Sequence, residues 1–270
     1  AKGGHFLLEK QPSPPSAAAS GRQSPTRLIN DTPPTRTADR ETVTCADTGL
    51  TRSKHRHLRP IDCEDNRMPV FLLTNVNHLS NKLDELSVLS RLHCPTIIAI
   101  TESWLNPDIP DVAVYLDNFN VMRKDRFTGS GGGVMLYISS EVNSRRLSNF
   151  ECDNFEVMWA AVRPKVLPRP LSILIVGVVF CPPSYDANKK RDLACYILDA
   201  VDKLMKLYPD AGIFICGDFN TLDTGLFNKH LHLNQLITTA TRGNNILDKF
   251  FYQHQTLLQC AFDCCSRWKV

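Results

Sequence analysis

The stretch Ile213-Phe214-Ile215-Cys216-Gly217-Asp218-Phe219-Asn220 decides how the rest of the chain is read. An apolar run of strand composition stops at a glycine and then offers a carboxylate and a carboxamide separated by one aromatic. Side chains alternate across a strand, so Asp218 and Asn220 share one side of the backbone while Phe219 turns to the other. An acid beside an amide at a strand end suits phosphate-ester chemistry. The acid orients or deprotonates water next to a hard cation, and the amide donates hydrogen bonds as charge builds on the phosphoryl oxygens. Taken alone, Gly-Asp-x-Asn also reads as a polar turn after a buried strand, because Gly, Asp and Asn are the commonest turn residues.

Upstream, Asp186 to Tyr208 carries Leu193, Ile197, Leu198, Val201, Leu204 and Met205 at helical spacing, which predicts a long helix packed on a sheet. Before it, Phe155 to Arg163 and Ser172 to Phe180 read as strands joined through Pro164, Pro168 and Pro170, a hairpin order that implies antiparallel pairing. Gly129, Gly131, Gly132 and Gly133 precede the strand-like Val134 to Ile138. A phosphate cradle needs a helix N-terminus at that point, so this loop reads as a flexible connection. Nearer the start, Val70 to Asn75 reads as a strand and Asn81 to His93 as an amphipathic helix with Leu83, Leu86, Leu89 and Leu92 on one stripe. Thr96 to Thr101 reads as a second strand with Glu102 at its end. Downstream, Thr241 to Asn245 reads as a loop and Ile246 to Phe251 as a strand with Asp248 near its start.

Four polar positions therefore fall at strand ends: Asn75, Glu102, Asp218 with Asn220, and Asp248. Two facing sheets that bring those ends to one rim would line a groove with carboxylate and amide groups, the donors that Mg²⁺ accepts. A metal acting there as Lewis acid on a phosphoryl oxygen would hydrolyse phosphodiesters.

Composition bounds this reading without deciding it. The formal charge of +3 sits entirely in residues 1–68, which hold 11 Lys and Arg against 8 Asp and Glu, while the remainder holds 20 of each. Any contact of the folded part with a polyanion must therefore rest on locally placed Arg and Lys and on a metal ion. Residues 1–68 are rich in Ser, Thr, Pro and Arg and read as a disordered leader. No run of about twenty apolar residues occurs, so no membrane span is expected. Of the ten cysteines, Cys94, Cys181, Cys195 and Cys216 lie in or beside apolar runs, where a free thiol packs as a small hydrophobe. Cys260, Cys264 and Cys265 lack the paired spacings and histidines of a zinc site. The chain opens on Ala1 and reads as a piece of a longer gene product.

Several motifs fall in an order that resembles a known family. Asn75-Val76-Asn77, Thr101-Glu102-Ser103-Trp104, Arg126 through Gly133, Phe180-Cys181-Pro182-Pro183, Gly217-Asp218-Phe219-Asn220 and Thr241-Arg242-Gly243 with Leu247-Asp248 resemble the endonuclease/exonuclease/phosphatase superfamily over roughly residues 70 to 252. More narrowly, they look like the apurinic-endonuclease-type domain of chicken-repeat-like LINE (non-LTR) retrotransposons. The resemblance implies an α/β fold, a four-layer α/β sandwich with two mostly antiparallel sheets packed face to face and helices outside. It also implies dependence on Mg²⁺ with Mn²⁺ as a substitute, DNA as partner, a nuclear location, and nicking of one strand so that its 3′-hydroxyl primes reverse transcription.

Carried over position by position, Glu102 and Asn75 match the metal site, Asp218 the acid that orients or activates water, and Asn220 the amide that steadies the phosphate. Asp248 matches the acid that orients a catalytic histidine, and Arg126, Phe180 and Arg242 fall at substrate-binding positions. Two departures stand out. Phe180 occupies a position where the family usually has tyrosine, and the family's closing Ser-Asp-His triplet does not occur. Asp248 is thus expected to lack its partner and the last strand to be missing, leaving an unpaired sheet edge and marginal folding. Loss of such a group costs about a hundred- to ten-thousand-fold in rate, so impaired activity is expected. The expected organisation is a leader over 1–68, an incomplete endonuclease/exonuclease/phosphatase-like domain over 69–260 and a divergent tail over 261–270. Two other functions stay open: an inactive module that holds nucleic acid or protein, and a phosphatase or phosphodiesterase acting on a small phosphorylated substrate. No dedicated protein partner is deducible.

Overall fold

The computed structural model describes residues 69–126 and 129–253. The first part of the described chain runs β1 (Phe71–Asn75), α1 (Leu83–His93), β2 (Ile97–Thr101), β3 (Phe119–Lys124), β4 (Val134–Ser139) and β5 (Asn143–Arg146). It continues through β6 (Glu156–Arg163), β7 (Ile173–Phe180), α2 (Ala187–Leu207), β8 (Ala211–Asp218), α3 (Gly225–Leu231), β9 (Asn234–Gln235) and β10 (Asp248–Tyr252).

These strands form two sheets, ordered β1-β2-β4-β3 and β5-β6-β7-β8-β10-β9. Two pairs are parallel, β1 with β2 and β7 with β8, and the remaining pairs are antiparallel. A parallel pair needs a crossover connection, and α1 and α2 supply one each. β7, Ile-Leu-Ile-Val-Gly-Val-Val-Phe, is apolar at every position because both of its faces are covered. Leu174, Val176 and Val178 face Phe71, Leu73, Ala99 and Leu136 of the other sheet. Ile173, Ile175 and Val179 face Leu193, Ile197, Val201 and Leu204 of α2. Behind the first sheet, Leu72, Ile98, Ile100, Met135 and Tyr137 pack on Leu79 and Leu86. The layers are thus helix, sheet, sheet, helix: an α/β sandwich with its deepest core between the sheets.

Helix α2 follows the sequence reading closely, with Asp186 as its N-cap accepting a hydrogen bond from the Lys189 N–H at 2.7 Å. Helix α1 departs from it. A short 3₁₀ turn over Leu79–Asn81 precedes the helix, Leu86 is fully buried, Leu83 and Leu89 are partly so, and Leu92 is 44% exposed. The helix leaves the sheet surface by its last turn, so the expected four-leucine stripe packs over only three. β3, β5, α3 and β9 carry no strong periodic signal. β5, Asn-Ser-Arg-Arg, has no apolar residue at all and is a strand only because it pairs with β6. The expected leader over 1–68, and the expected loss of a strand beyond Gln253, lie outside the described residues. Among the described residues no helix is long and apolar enough to cross a membrane.

Two glycines mark where the second sheet has no room for a side chain. A Cβ at Gly177 would lie 2.5 Å from the Trp159 ring. At Gly217, φ is +142° and a Cβ would lie 1.9 Å from the Val179 carbonyl oxygen. A ring can shift and a strand carbonyl cannot, so Gly177→Ala is expected to cost about 1–3 kcal/mol and Gly217→Ala more than that. Urea unfolding of the two variants beside the parent checks the order; equal losses would refute it.

Candidate active site

Strand register assembles the site. Across the second sheet, Glu156 pairs with Phe180, Phe180 with Asp218, and Asp218 with Asp248, so these four residues form one row. All share the parity of residues that face the other sheet: Met158, Ala160, Val178, Phe214, Cys216, Phe250 and Tyr252. Opposite them, Asn75 and Thr101 pair at the ends of β1 and β2, with Glu102 next in the chain. The expected strand-end residues are therefore brought to one rim of the sandwich.

The link between the sheets is the Asn75 amide. Its Nδ2 donates to Glu102 Oε1 at 2.7 Å and to Asp218 Oδ2 at 3.0 Å. The amide nitrogen of Asn75 thus faces both acids, and its Oδ1 accepts from the Asn77 N–H at 3.2 Å. Glu102 stands in the left-handed region at φ 54°, outside the strand proper.

Asp218 is fully buried. Its Oδ1 accepts from the Asn220 N–H at 3.0 Å, and the turn that makes this possible puts Asn220 at φ 46°. Burial pushes the Asp218 carboxyl up to about 6, and the nearby Asp248 charge adds to the effect. The Asn220 and Asn75 hydrogen bonds and the Arg242 charge oppose it. Burial likewise raises Asp248, with Glu102 adding to the shift and Thr241 and Arg242 opposing it. Thr241 Oγ1 accepts from the Leu247 and Asp248 N–H groups, each at 3.1 Å, which seats the loop against the start of β10. Asp248 Oδ1 is buried with no hydrogen-bond partner among the described residues.

The other expected residues divide. Asn220 reaches the rim, but its Nδ2 donates to the Cys181 carbonyl at 2.9 Å, so one of its two N–H donors is already used. Arg242 is exposed and close enough to influence both Asp218 and Asp248. Arg126 is held by Glu156 Oε1, with Nε at 2.9 Å and Nη2 at 2.5 Å. Phe180 is only 3% exposed, and its ring lies 5.8 Å below the Arg126 guanidinium. It supports Arg126 and offers a substrate little surface of its own, which corrects its expected role. Glu156 was missed by the sequence reading. Its signal was weak but present: it begins a strand and shares parity with the inward-facing Met158, Ala160 and Val162.

The sequence matches the Endonuclease/Exonuclease/phosphatase family over residues 72–266. The chain belongs to that family. No curated protein matches the sequence significantly. Among solved structures, AP endonuclease LMAP from Leishmania major is similar at 12% identity and a TM-score of 0.43, covering 56% of this chain and 54% of its own. This chain thus spans about half the length of that enzyme. The endonuclease domain of TRAS1, a telomere-specific non-LTR retrotransposon, is similar at 13% identity and a TM-score of 0.47, covering 71% and 87%. The 2′,3′-cyclic phosphatase ANGEL2 is similar at 10% identity and a TM-score of 0.45, covering 65% and 73%.

Among the described residues, no three of His, Cys, Asp and Glu are grouped closely enough to cage a metal ion by themselves. The donor set still fits a divalent cation of the Mg²⁺ type, which takes one or two carboxylates and keeps several waters. Asp248 raises the proton affinity of Asp218 and Glu102 raises that of Asp248, a buried Asp248 oxygen lacks a partner among the described residues, and Arg242 is the cation that opposes both shifts.

The raised Asp218 carboxyl has a consequence for stability. In the unfolded chain this group ionises near its ordinary value of 3.8, and in the metal-free fold near 6. The fold binds the extra proton, so the stability contribution is full below about pH 4 and is lost as pH rises through about 6. Between pH 4 and pH 7.5 this group is expected to remove on the order of 2 kcal/mol. Asp218→Asn is expected to flatten that part of the stability–pH curve. Denaturant titrations of both metal-free proteins across this range check it, and parallel curves would refute it.

Proposed function

We propose that the chain hydrolyses phosphodiester bonds in DNA with the help of a divalent cation, Mg²⁺ or in its place Mn²⁺, in the manner of the strand-nicking endonuclease domain of a LINE-type retrotransposon. The observation that carries this reading is the Asn75 amide, which ties Glu102 on one sheet to Asp218 on the other within hydrogen-bonding distance. The ordered motifs support the retrotransposon part of the reading, which also brings with it a nuclear location.

Glu102, with Asn75 beside it, would hold the cation. Bound there, the cation supplies Lewis-acid activation of a phosphoryl oxygen. Asp218 is the proton acceptor: its carboxyl is fixed by two hydrogen bonds and its elevated proton affinity matches work near neutral pH. Asn220 has a second amide N–H free of the Cys181 carbonyl to donate to a phosphate oxygen. Arg242 offers an exposed guanidinium to a neighbouring phosphate. Arg126 shapes the far side of the rim through Glu156 and Phe180.

A second reading, a binding module without turnover, is favoured by one observation. Asp248 Oδ1 is buried and has no partner among the described residues, where a histidine is expected in an active enzyme of this family.

A supercoiled plasmid incubated with the full chain and Mg²⁺ separates the two. Conversion to the nicked circle is expected, abolished by a chelator and reduced about 10²- to 10⁴-fold in Asp218→Ala. Asn220→Ala is expected to lose about 10²- to 10³-fold. Plasmid that is bound by both the parent and Asp218→Ala yet stays supercoiled would instead establish the binding module.

A further inference from the structure

Trp104 is an exposed aromatic at the rim that the reading above leaves without a task. It is 39% exposed and its backbone stands at φ 55°, in the left-handed region. A tryptophan persists there only where its surroundings over-determine it. Here they do. The Trp104 N–H donates to the Gly132 carbonyl at 2.9 Å, and the Ser103 N–H donates to that of Gly133 at 3.3 Å. His78 lies over the indole with ring centroids 5.7 Å apart and planes inclined by 24°. His78 is itself anchored by its N–H to the Glu102 carbonyl at 3.0 Å. Gly131, at φ +77°, is packed so closely that a Cβ on it would lie 3.3 Å from the indole Nε1 and Cε2.

What this clamp aims is the indole N–H. Trp104 Nε1 lies 3.4 Å from Glu102 Oε2, while Asn75 Nδ2 holds the other oxygen, Oε1, at 2.7 Å. Both oxygens of the carboxylate thus have a donor, one from the strand end of β1 and one from the residue two positions on. The carboxylate is thereby fixed about its terminal torsion, which is soft in a free glutamate. The glycine-rich segment, expected to be a flexible connection, instead buttresses the indole.

We propose that Trp104 is a positioning residue for the cation site: it holds the Glu102 carboxylate in the orientation in which that group receives a divalent cation. The inference rests on the metal-dependent reading above. Partners that orient a metal ligand typically change metal affinity by 10- to 100-fold when removed, and the 3.4 Å separation sets the expectation at the low end.

The test is a Mn²⁺ titration of the full chain followed by electron paramagnetic resonance, which counts free and bound ion without any turnover. Trp104→Phe keeps a ring against His78 and Gly131 and deletes the N–H; it is expected to weaken Mn²⁺ binding about tenfold with an unchanged thermal midpoint. Gly131→Ala keeps the N–H but pushes the indole aside, and is expected to weaken binding in the same direction; should Trp104→Phe not fold, this variant decides. Glu102→Gln is the control that removes binding. Parent affinity in a folded Trp104→Phe overturns the role of Trp104 alone. A parent chain that takes up no Mn²⁺ overturns the metal-dependent reading, and this inference with it.

Discussion

A single carboxamide holds the two halves of the site together. Asn75 ends the first strand of one sheet and donates to an acid on each sheet, Glu102 and Asp218. Without a donor between them, these acids would meet at the rim as like charges in a partly dehydrated space. With it, each has one oxygen satisfied, and the sheets are tied at that end by the 3.0 Å hydrogen bond from Asn75 to Asp218. The apolar core below determines that the sheets face one another; the amide determines where their polar ends meet.

That arrangement depends in turn on backbone features that no other residue types would supply as well. β8 must run against β7 closely enough for Phe180 and Asp218 to pair, and Gly217 permits it by placing only hydrogen where a Cβ would strike the Val179 carbonyl. The chain must then turn at once, so that Asn220 can return its N–H to Asp218, and an asparagine tolerates the left-handed conformation required. On the opposite sheet, Glu102 leaves β2 through the same conformation, held by its carbonyl accepting from the His78 N–H and by the next two residues, Ser103 and Trp104, donating their backbone N–H groups to the Gly133 and Gly132 carbonyls. The acids are displayed by strand ends that bend away from regular geometry as soon as pairing stops.

Much of this was legible in the sequence, for definable reasons. β7, β8 and α2 announce themselves because they are buried on two faces or along one continuous stripe, and burial leaves an unbroken apolar pattern. Asp218, Glu102, Asn75 and Asp248 stand out because each interrupts such a pattern at its end. β3 and β5 were silent because they lie at sheet edges, where no residue is fully buried and pairing is driven by the neighbour's backbone. Glu156 was nearly silent for a related reason: it stands inside the predicted strand from Phe155 to Arg163, and only its parity with Met158, Ala160 and Val162 distinguishes it from an ordinary exposed acid. Its partner, Arg126, is thirty residues away. Phe180 misled because its position implied the groove, while the parity of β7 turns it into the core between the sheets.

The electrostatics of the rim follow from the same geometry. Placing Asp218 and Asp248 on adjacent strands in direct register brings a buried acid beside a half-buried one, and the free energy of ionisation of each is raised through lost hydration. A fold selected for stability alone would not put them there, because apolar residues of similar size at the row's end would continue the core formed by Phe250 and Cys216 just below. The chain instead keeps the acids, supplies Asn75, the Asn220 N–H and Arg242 as partial compensation, and leaves one Asp248 oxygen unmatched. Stability surrendered at one end of an otherwise well-packed sandwich is the expected signature of a functional site.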